Sequence, residues 1–182
     1  LGLANTASKL RGESGTKVLV KISSESGEIR EIDLERRSVD LRPVRTKRLR
    51  DDSHTIGYLR ITQFSESVPK KVEEALQELK EKEVEGLILD LRNNSGGLVS
   101  SGIAVADSLL SEKPVVETKN RNGIKDAIIS QKETSFDGPM VTLVNKGTAS
   151  ASEILAGSLQ DNGRSILMGE KTYGKGLIQS LK

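Results

Sequence analysis

Two residues in this 182-residue chain are placed to do chemistry together. Ser150 follows the apolar run Met140 to Val144 and the turn Asn145 to Ala149, and it precedes the helix-like Ala151-Ser152-Glu153-Ile154. A strand leading through a glycine-containing turn into a helix puts its hydroxyl at a helix N-terminus. There, unpaired N–H groups and the positive end of the dipole lie close by. An oxyanion formed on Ser150 would meet the N–H of Ala151. A serine is also a preferred N-cap, and this feature alone favours that purely structural reading. Lys175 is held between Gly174 and Gly176. At its ordinary pKa of ~10.4 a lysine is no base at neutral pH. Desolvation lowers that value, and a neutral amine within hydrogen-bond reach of Ser150 could take its proton. The turn Gly96-Gly97, after the strand ending at Asp90, offers backbone that a substrate can approach closely and hence a second oxyanion donor.

The rest of the inventory narrows the choice. The chain has no cysteine and one histidine, so thiol nucleophiles, thiolate zinc sites, disulfides and clustered histidine metal sites are excluded within it. His54 lies in the polar run Asp51 to Thr55 and reads as solvated. No metal or cofactor is called for. The net charge of +2 gives no general reason to expect a nucleic-acid partner. The segment Arg42 to Arg50 (RPVRTKRLR) is strongly basic. It lacks the interleaved aromatics of a nucleic-acid surface and reads as a solvated connector or edge strand. No run reaches the ~18 apolar residues needed to span a bilayer.

The elements that must position these residues follow from periodicity. Leu3, Ala7 and Leu10 mark a helix face ending near Gly12. Val18, Val20 and Ile22 alternate as a strand, and Ile29 to Leu34 returns after a turn. Residues 1–38 are too few for an independent core and read as the tail of a small module. From Ile56 an α/β alternation begins. Strands are expected at 56–61, 86–91, 115–118, 140–144 and 165–168, the runs at 86–91 and 165–168 as buried ones. Helices are expected from Ser67 and Pro69 onward, at 103–110 and at 151–160. Residues 119–138 read as a polar connection with room for a short hairpin. The chain opens without an initiator Met and stops within a strand-like run, so it reads as an internal piece truncated at both ends.

Four blocks carry a resemblance: GYLRITQFSE (57–66), GLILDLRNNSGG (86–97), VNKGTASASEILAGSLQDNGR (144–164) and GEKTYGKGLIQ (169–179). In this order they resemble the carboxy-terminal processing peptidases, or tail-specific proteases, and are especially similar to cyanobacterial and chloroplast lumenal members. The resemblance implies an α/β core of the ClpP/crotonase kind over 39–182. It also implies that residues 1–38 are the C-terminal part of a PDZ-like peptide-docking module, where the run Arg11 to Thr16 fits. It further implies a Ser–Lys dyad of Ser150 and Lys175, oxyanion donors at the N–H groups of Ala151 and Gly96 (or Gly97), a supporting Gln179 and a family aspartate at Asp161. The implied partners are C-termini of protein substrates, among them a photosystem II reaction-centre precursor. The implied location is outside the cytoplasm, in a periplasm or thylakoid lumen, which leaves peripheral membrane association open. Elementary geometry qualifies two of these roles. Asp161 lies on nearly the same helical face as Ser150 but ~16 Å along the axis. Gln179 would stand ~13 Å from Lys175 on a regular strand.

Two rival readings use the same residues. Gly169 to Lys175 fits the first seven positions of a phosphate-binding loop, yet Gly176 stands where Ser or Thr must hold magnesium, and a strand-like run follows. A catalytically silent peptide-binding module would have no use for both Ser150 and Lys175.

Overall fold

The computed structural model describes residues 3–24, 26–37, 42–51, 53–119, 123, 125–131 and 133–175. The chain divides into two compact units, Leu1–Leu41 and Arg42–Lys182.

In the first unit, helix α1 (Leu3–Leu10) precedes the antiparallel ribbon of β1 (Lys17–Ser23) and β2 (Ile29–Glu35), in register Lys17 with Glu35 through Ser23 with Ile29. The unit is tied by one side chain. The Arg36 guanidinium donates to the carbonyls of Leu10 (2.9 Å) and Lys9 (3.1 Å) at the end of α1, and to Thr16 Oγ1 (3.0 Å) and the Lys17 carbonyl (3.1 Å). A cation is favoured at a helix C-terminus because the last carbonyls lack partners there. Of the aliphatic side chains of the ribbon, Val18 and Val20 are half-buried and the others remain in water; Leu19 is 55% and Ile29 67% exposed.

The second unit is built on a five-stranded sheet in the order β3-β4-β5-β8-β9. Strand β3 (Val44–Arg50) pairs antiparallel with β4 (Thr55–Ile61), and β5 (Gly86–Asp90), β8 (Met140–Val144) and β9 (Ile166–Gly169) continue in parallel. Helix α2 (Val68–Glu81) connects β4 to β5, with Pro69 in its first turn, where proline's missing N–H is harmless. Helix α3 (Val99–Leu109) follows β5, and α4 (Ala151–Asp161) follows β8. All three pack on the sheet face that carries Leu59, Ile61, Leu87, Leu89 and Val144, forming one aliphatic core with Val72, Leu76, Val105, Leu109, Leu155 and Leu159. The basic segment read as connector or edge strand is the edge strand β3. The connection at 119–138 does contain a hairpin partner: β7 (Lys125–Ile129) pairs antiparallel with β6 (Pro114–Lys119).

Two sequence expectations are corrected. Helix α3 begins four residues before the expected Ile103, because the small residues Ser100, Ser101 and Gly102, which resemble a turn, allow close packing. A Cβ on Gly102 would sit 2.9 Å from the Ala151 carbonyl. Strand β9 is not buried. It forms the second edge of the sheet, with Ile166 69% and Met168 57% exposed, and an edge strand has a neighbour on one side only. Among the described residues, no helix is long and apolar enough to cross a membrane.

Candidate active site

Parallel strands deliver their following loops to one end of the sheet, where sites in α/β folds form. The loop after β5 and the loop after β8 meet there, and amide side chains join them. Asn145 Oδ1 accepts the N–H of Asn93 (2.9 Å), and its Nδ2 donates back to Asn93 Oδ1 (2.9 Å). Thr148 Oγ1 donates to the Leu91 carbonyl (2.9 Å). Asn94, fully buried, reaches three elements. Its Nδ2 donates to the Ile61 carbonyl at the end of β4 (2.9 Å), and its Oδ1 accepts the N–H of Gly96 (2.9 Å). Its carbonyl accepts from the N–H of Ala149 and from Ser152 Oγ (both 3.0 Å).

Ser150 occupies the N-cap of α4 with φ 58° and ψ −121°. That conformation is left to glycine in ordinary turns, and a side chain held there marks strain imposed by its surroundings. The Gly96–Gly97 turn lies directly against it. A Cβ on Gly96 would stand 2.8 Å from Ser150 Cβ and 3.1 Å from the Ala151 nitrogen; a Cβ on Gly97 would fall on the Phe64 carbonyl. Glycine is therefore required at both positions, whose φ values are 101° and 138°. Phe64 clasps the turn from the other side, donating to the Gly96 carbonyl (2.9 Å) and accepting from the Leu98 N–H (3.0 Å). The N–H of Gly96 is thus engaged by Asn94. Among the described residues those of Gly97 and Ala151 meet no acceptor.

The residue that joins Ser150 to the lysine segment is Glu153, which the sequence reading did not single out. Its Oε2 accepts the N–H of Ser150 (2.8 Å) and the N–H of Lys175 (3.0 Å). Its Oε1 accepts Thr172 Oγ1 (2.8 Å) and the N–H of Gly174 (2.6 Å). Burial pushes its pKa up, but these four donors outweigh burial and hold the carboxyl below its ordinary range. The signal was available: Ser150-x-x-Glu153 has the spacing of a capping box, in which the third helical residue reaches back to the N-cap amide. Tyr173 adds a further tie, donating its N–H to the Thr148 carbonyl (3.0 Å).

The structure thus brings Ser150, Ala151, Gly96 and the backbone of Lys175 together. Lys175 itself is exposed, in contrast to the dry surroundings that a neutral amine requires. Gln179 lies outside the described residues. Asp161 is exposed at the far end of α4, beside a groove of about 420 Å³ between that helix and β6. His54 immediately precedes β4, at the opposite end of the sheet from Ser150, with Nδ1 2.9 Å from Glu85 Oε2. The phosphate-loop reading fails on geometry. The N–H groups of Gly174 and Lys175 already point at the Glu153 carboxylate, which would repel phosphate.

Beneath the glycine turn sits a charged cluster. Asp90, inaccessible to solvent, accepts Tyr58 Oη (2.6 Å), Arg92 Nη2 (2.8 Å), Arg92 Nε (3.0 Å) and the Arg92 N–H (2.9 Å), with Arg60 Nη1 at 3.4 Å. Burial pushes its pKa up, and the hydrogen bonds from Arg92 and Tyr58 outweigh it to hold the carboxyl at about 2. The acidic strand end is therefore a brace for the loop at 91–97, with every oxygen engaged.

Comparison with known proteins bears on the family and the fold. The sequence pattern described as Peptidase family S41 matches residues 55–182. A carboxyl-terminal-processing protease of Synechocystis sp. is 48% identical over the whole chain, which spans 43% of that protein. Carboxyl-terminal-processing peptidase 3, chloroplastic, of Arabidopsis thaliana is 42% identical over 96% of the chain and 36% of its own length. The solved photosystem II D1 C-terminal processing protease superposes on 99% of the chain and 50% of its own, with a TM-score of 0.75 and 34% identity. The chain spans less than half the length of these curated relatives.

Proposed function

This chain belongs to peptidase family S41, and from that premise we propose that it supplies the Ser–Lys machinery of a serine endopeptidase cutting protein substrates near their C-termini. The observation that carries the reading is the strained backbone of Ser150 at a helix N-terminus, with a glycine turn pressed against it and one carboxylate bonded to both the Ser150 and Lys175 amides. A side chain kept at positive φ needs a reason, and presenting a hydroxyl beside two unengaged N–H groups is one.

In the proposed mechanism an extended substrate lies over the glycine turn. A groove of about 580 Å³, formed by Gln63 to Ser67 with Gly97 and Leu98, receives its flanking residues. The bound peptide covers Lys175 and displaces water, which favours the neutral amine. Lys175 Nζ takes the proton of Ser150 Oγ as the oxygen attacks the scissile carbonyl carbon. The oxyanion is held by the Ala151 N–H and by the glycine turn, where Gly97 carries the unengaged donor. The resulting ammonium protonates the departing amine as the C–N bond breaks. Water, activated by the same lysine, then attacks the acyl-enzyme ester and releases the new carboxylate with free Ser150. Gln179 is assigned to steadying the Lys175 amine, and Asp161 to a structural role.

The first unit is proposed to be the C-terminal part of a PDZ-like module that docks substrate C-termini. Likeness to chloroplastic and cyanobacterial processing proteases supports an extracytoplasmic setting, with the photosystem II D1 precursor as the leading candidate substrate. The test is cleavage of a peptide carrying such a C-terminal extension by the full-length protein. Ser150→Ala and Lys175→Ala should each abolish cleavage with unchanged circular dichroism; normal activity in Lys175→Ala would refute the dyad.

A further inference from the structure

We propose that the outer edge of β3 is a docking surface for an extended acidic peptide segment, which adds to the sheet as a further strand. The proposal rests on backbone parity and on cationic side chains that have no carboxylate partner among the described residues.

Strand β3 ends the sheet, so one side of its backbone faces outward. In its ladder with β4, the Thr62 N–H donates to the Pro43 carbonyl (2.8 Å) and the Asp51 N–H to the His54 carbonyl (3.1 Å). Antiparallel ladders alternate, so the odd-numbered residues between these pairs bond to β4. The N–H and C=O groups of Val44, Thr46, Arg48 and Arg50 therefore point away from the sheet. They form a row of donors and acceptors of the kind an added strand satisfies.

The side chains along this row are cationic. Arg45, Lys47, Arg48 and Arg50 are all exposed, and among the described residues none has a carboxylate partner. Arg45 stands directly opposite Arg60, a like-charge pair that an incoming anion would relieve. Alternation sends Arg45 and Lys47 to one face and Arg48 and Arg50 to the other. Residues two apart on a strand are ~6.8 Å apart, the spacing at which acidic side chains of a paired strand stand opposite them. This arrangement selects an extended acidic chain over a flat anionic membrane. A bilayer surface meets cations gathered on one side and offers no alternating donors and acceptors to the open backbone. No aromatic side chain stands on β3 to stack a base, which disfavours nucleic acid.

The test is equilibrium binding to the full-length protein in a Ser150→Ala background, so that no probe is cut. The probe is a fluorescent peptide of alternating Glu and Val, long enough to pair with β3, followed by anisotropy. An alternating Lys and Val peptide and vesicles of mixed phosphatidylcholine and phosphatidylglycerol are compared in parallel. The Glu peptide should bind, and added salt should weaken it. Reversal of Arg45, Lys47, Arg48 and Arg50 to Glu should lower affinity about tenfold or more. Thr46→Pro removes one outward N–H without changing charge and should also weaken binding, whereas Thr46→Val should not. Absence of Glu-peptide binding, or equal binding of the Lys peptide, overturns the proposal and leaves the cations as a guard against edge pairing. Vesicle binding with Thr46→Pro unimpaired overturns it in favour of a lipid-facing patch. Because the readout is not cleavage, its failure leaves the proposed peptidase chemistry untouched.

Discussion

At the scale of single residues, Glu153 is the side chain whose role is most sharply defined by its contacts. Four donors converge on two oxygens. Glutamine presents one oxygen and an NH2 group that accepts nothing, so Glu153→Gln must leave at least one of the backbone N–H groups of Gly174, Ser150 and Lys175 facing a donor. Activity of the full-length enzyme should fall by at least tenfold, with stability lowered by about 1–3 kcal/mol, measured by cleavage rate and thermal melting. The folded-state pKa of this carboxyl is depressed, so its contribution is present above its unfolded value and lost as pH falls through the lowered one. Asp90 follows the same sign over a more acidic window. Its contribution is intact above pH ~4 and disappears toward about 2. Acid titration followed by circular dichroism should show a loss of about 2 kcal/mol across that window in the parent and none of that component in Asp90→Asn. Ser150 and Lys175 were singled out by their strand–turn–helix and glycine settings together with the family resemblance, since each alone reads as an ordinary N-cap or surface lysine. Glu153 and Asn94 were harder to find, because a carboxylate or amide serving backbone N–H groups looks like any surface residue until the loops meet.

At the scale of elements, two glycines make opposite predictions. Gly97 has φ 138° and no room for a Cβ, so Gly97→Ala must push the glycine turn away from Phe64. Loss of cleavage and a destabilisation of about 3 kcal/mol are expected. Gly157 lies inside α4 with nothing within 4 Å of a Cβ, so Gly157→Ala should stabilise by about 0.5–1 kcal/mol. Parallel melts of both variants check the pair. Elements with clear periodicity were legible. The alternation of Val18, Val20 and Ile22, the stripe Val72, Leu76 and Leu79, and the run Leu87 to Leu89 each lie in the element expected. The start of α3 was misread, because a run of serine and glycine carries no hydrophobic pattern, and only packing against α4 reveals why small residues are needed. The exposure of β9 was misread because an apolar run does not disclose whether a neighbour stands on each side.

At the scale of the molecule, every buried hydrophobic side chain among the described residues falls between Leu59 and Leu159, wholly inside the second unit. The first unit is a helix and ribbon tied by Arg36, and Leu10, Leu19, Ile22, Ile29, Ile32 and Leu34 are exposed in it. A chain beginning at Arg42 should therefore melt within a few degrees of the present one. A much larger drop would show that the units hold each other up. The sequence reading put a compositional boundary after residue 38, and the compact units divide after Leu41; the pairing order of the sheet was not visible. Order depends on which crossover packs where, and that information lies in contacts between residues distant in sequence.

Left to folding alone, position 150 would not hold a serine. A glycine would adopt the same backbone without a Cβ, and Ser150→Gly should gain about 1 kcal/mol of stability while removing the only atom that can be acylated there. Under the proposed chemistry, relatives released from selection for turnover are thus expected to drift toward glycine at this site.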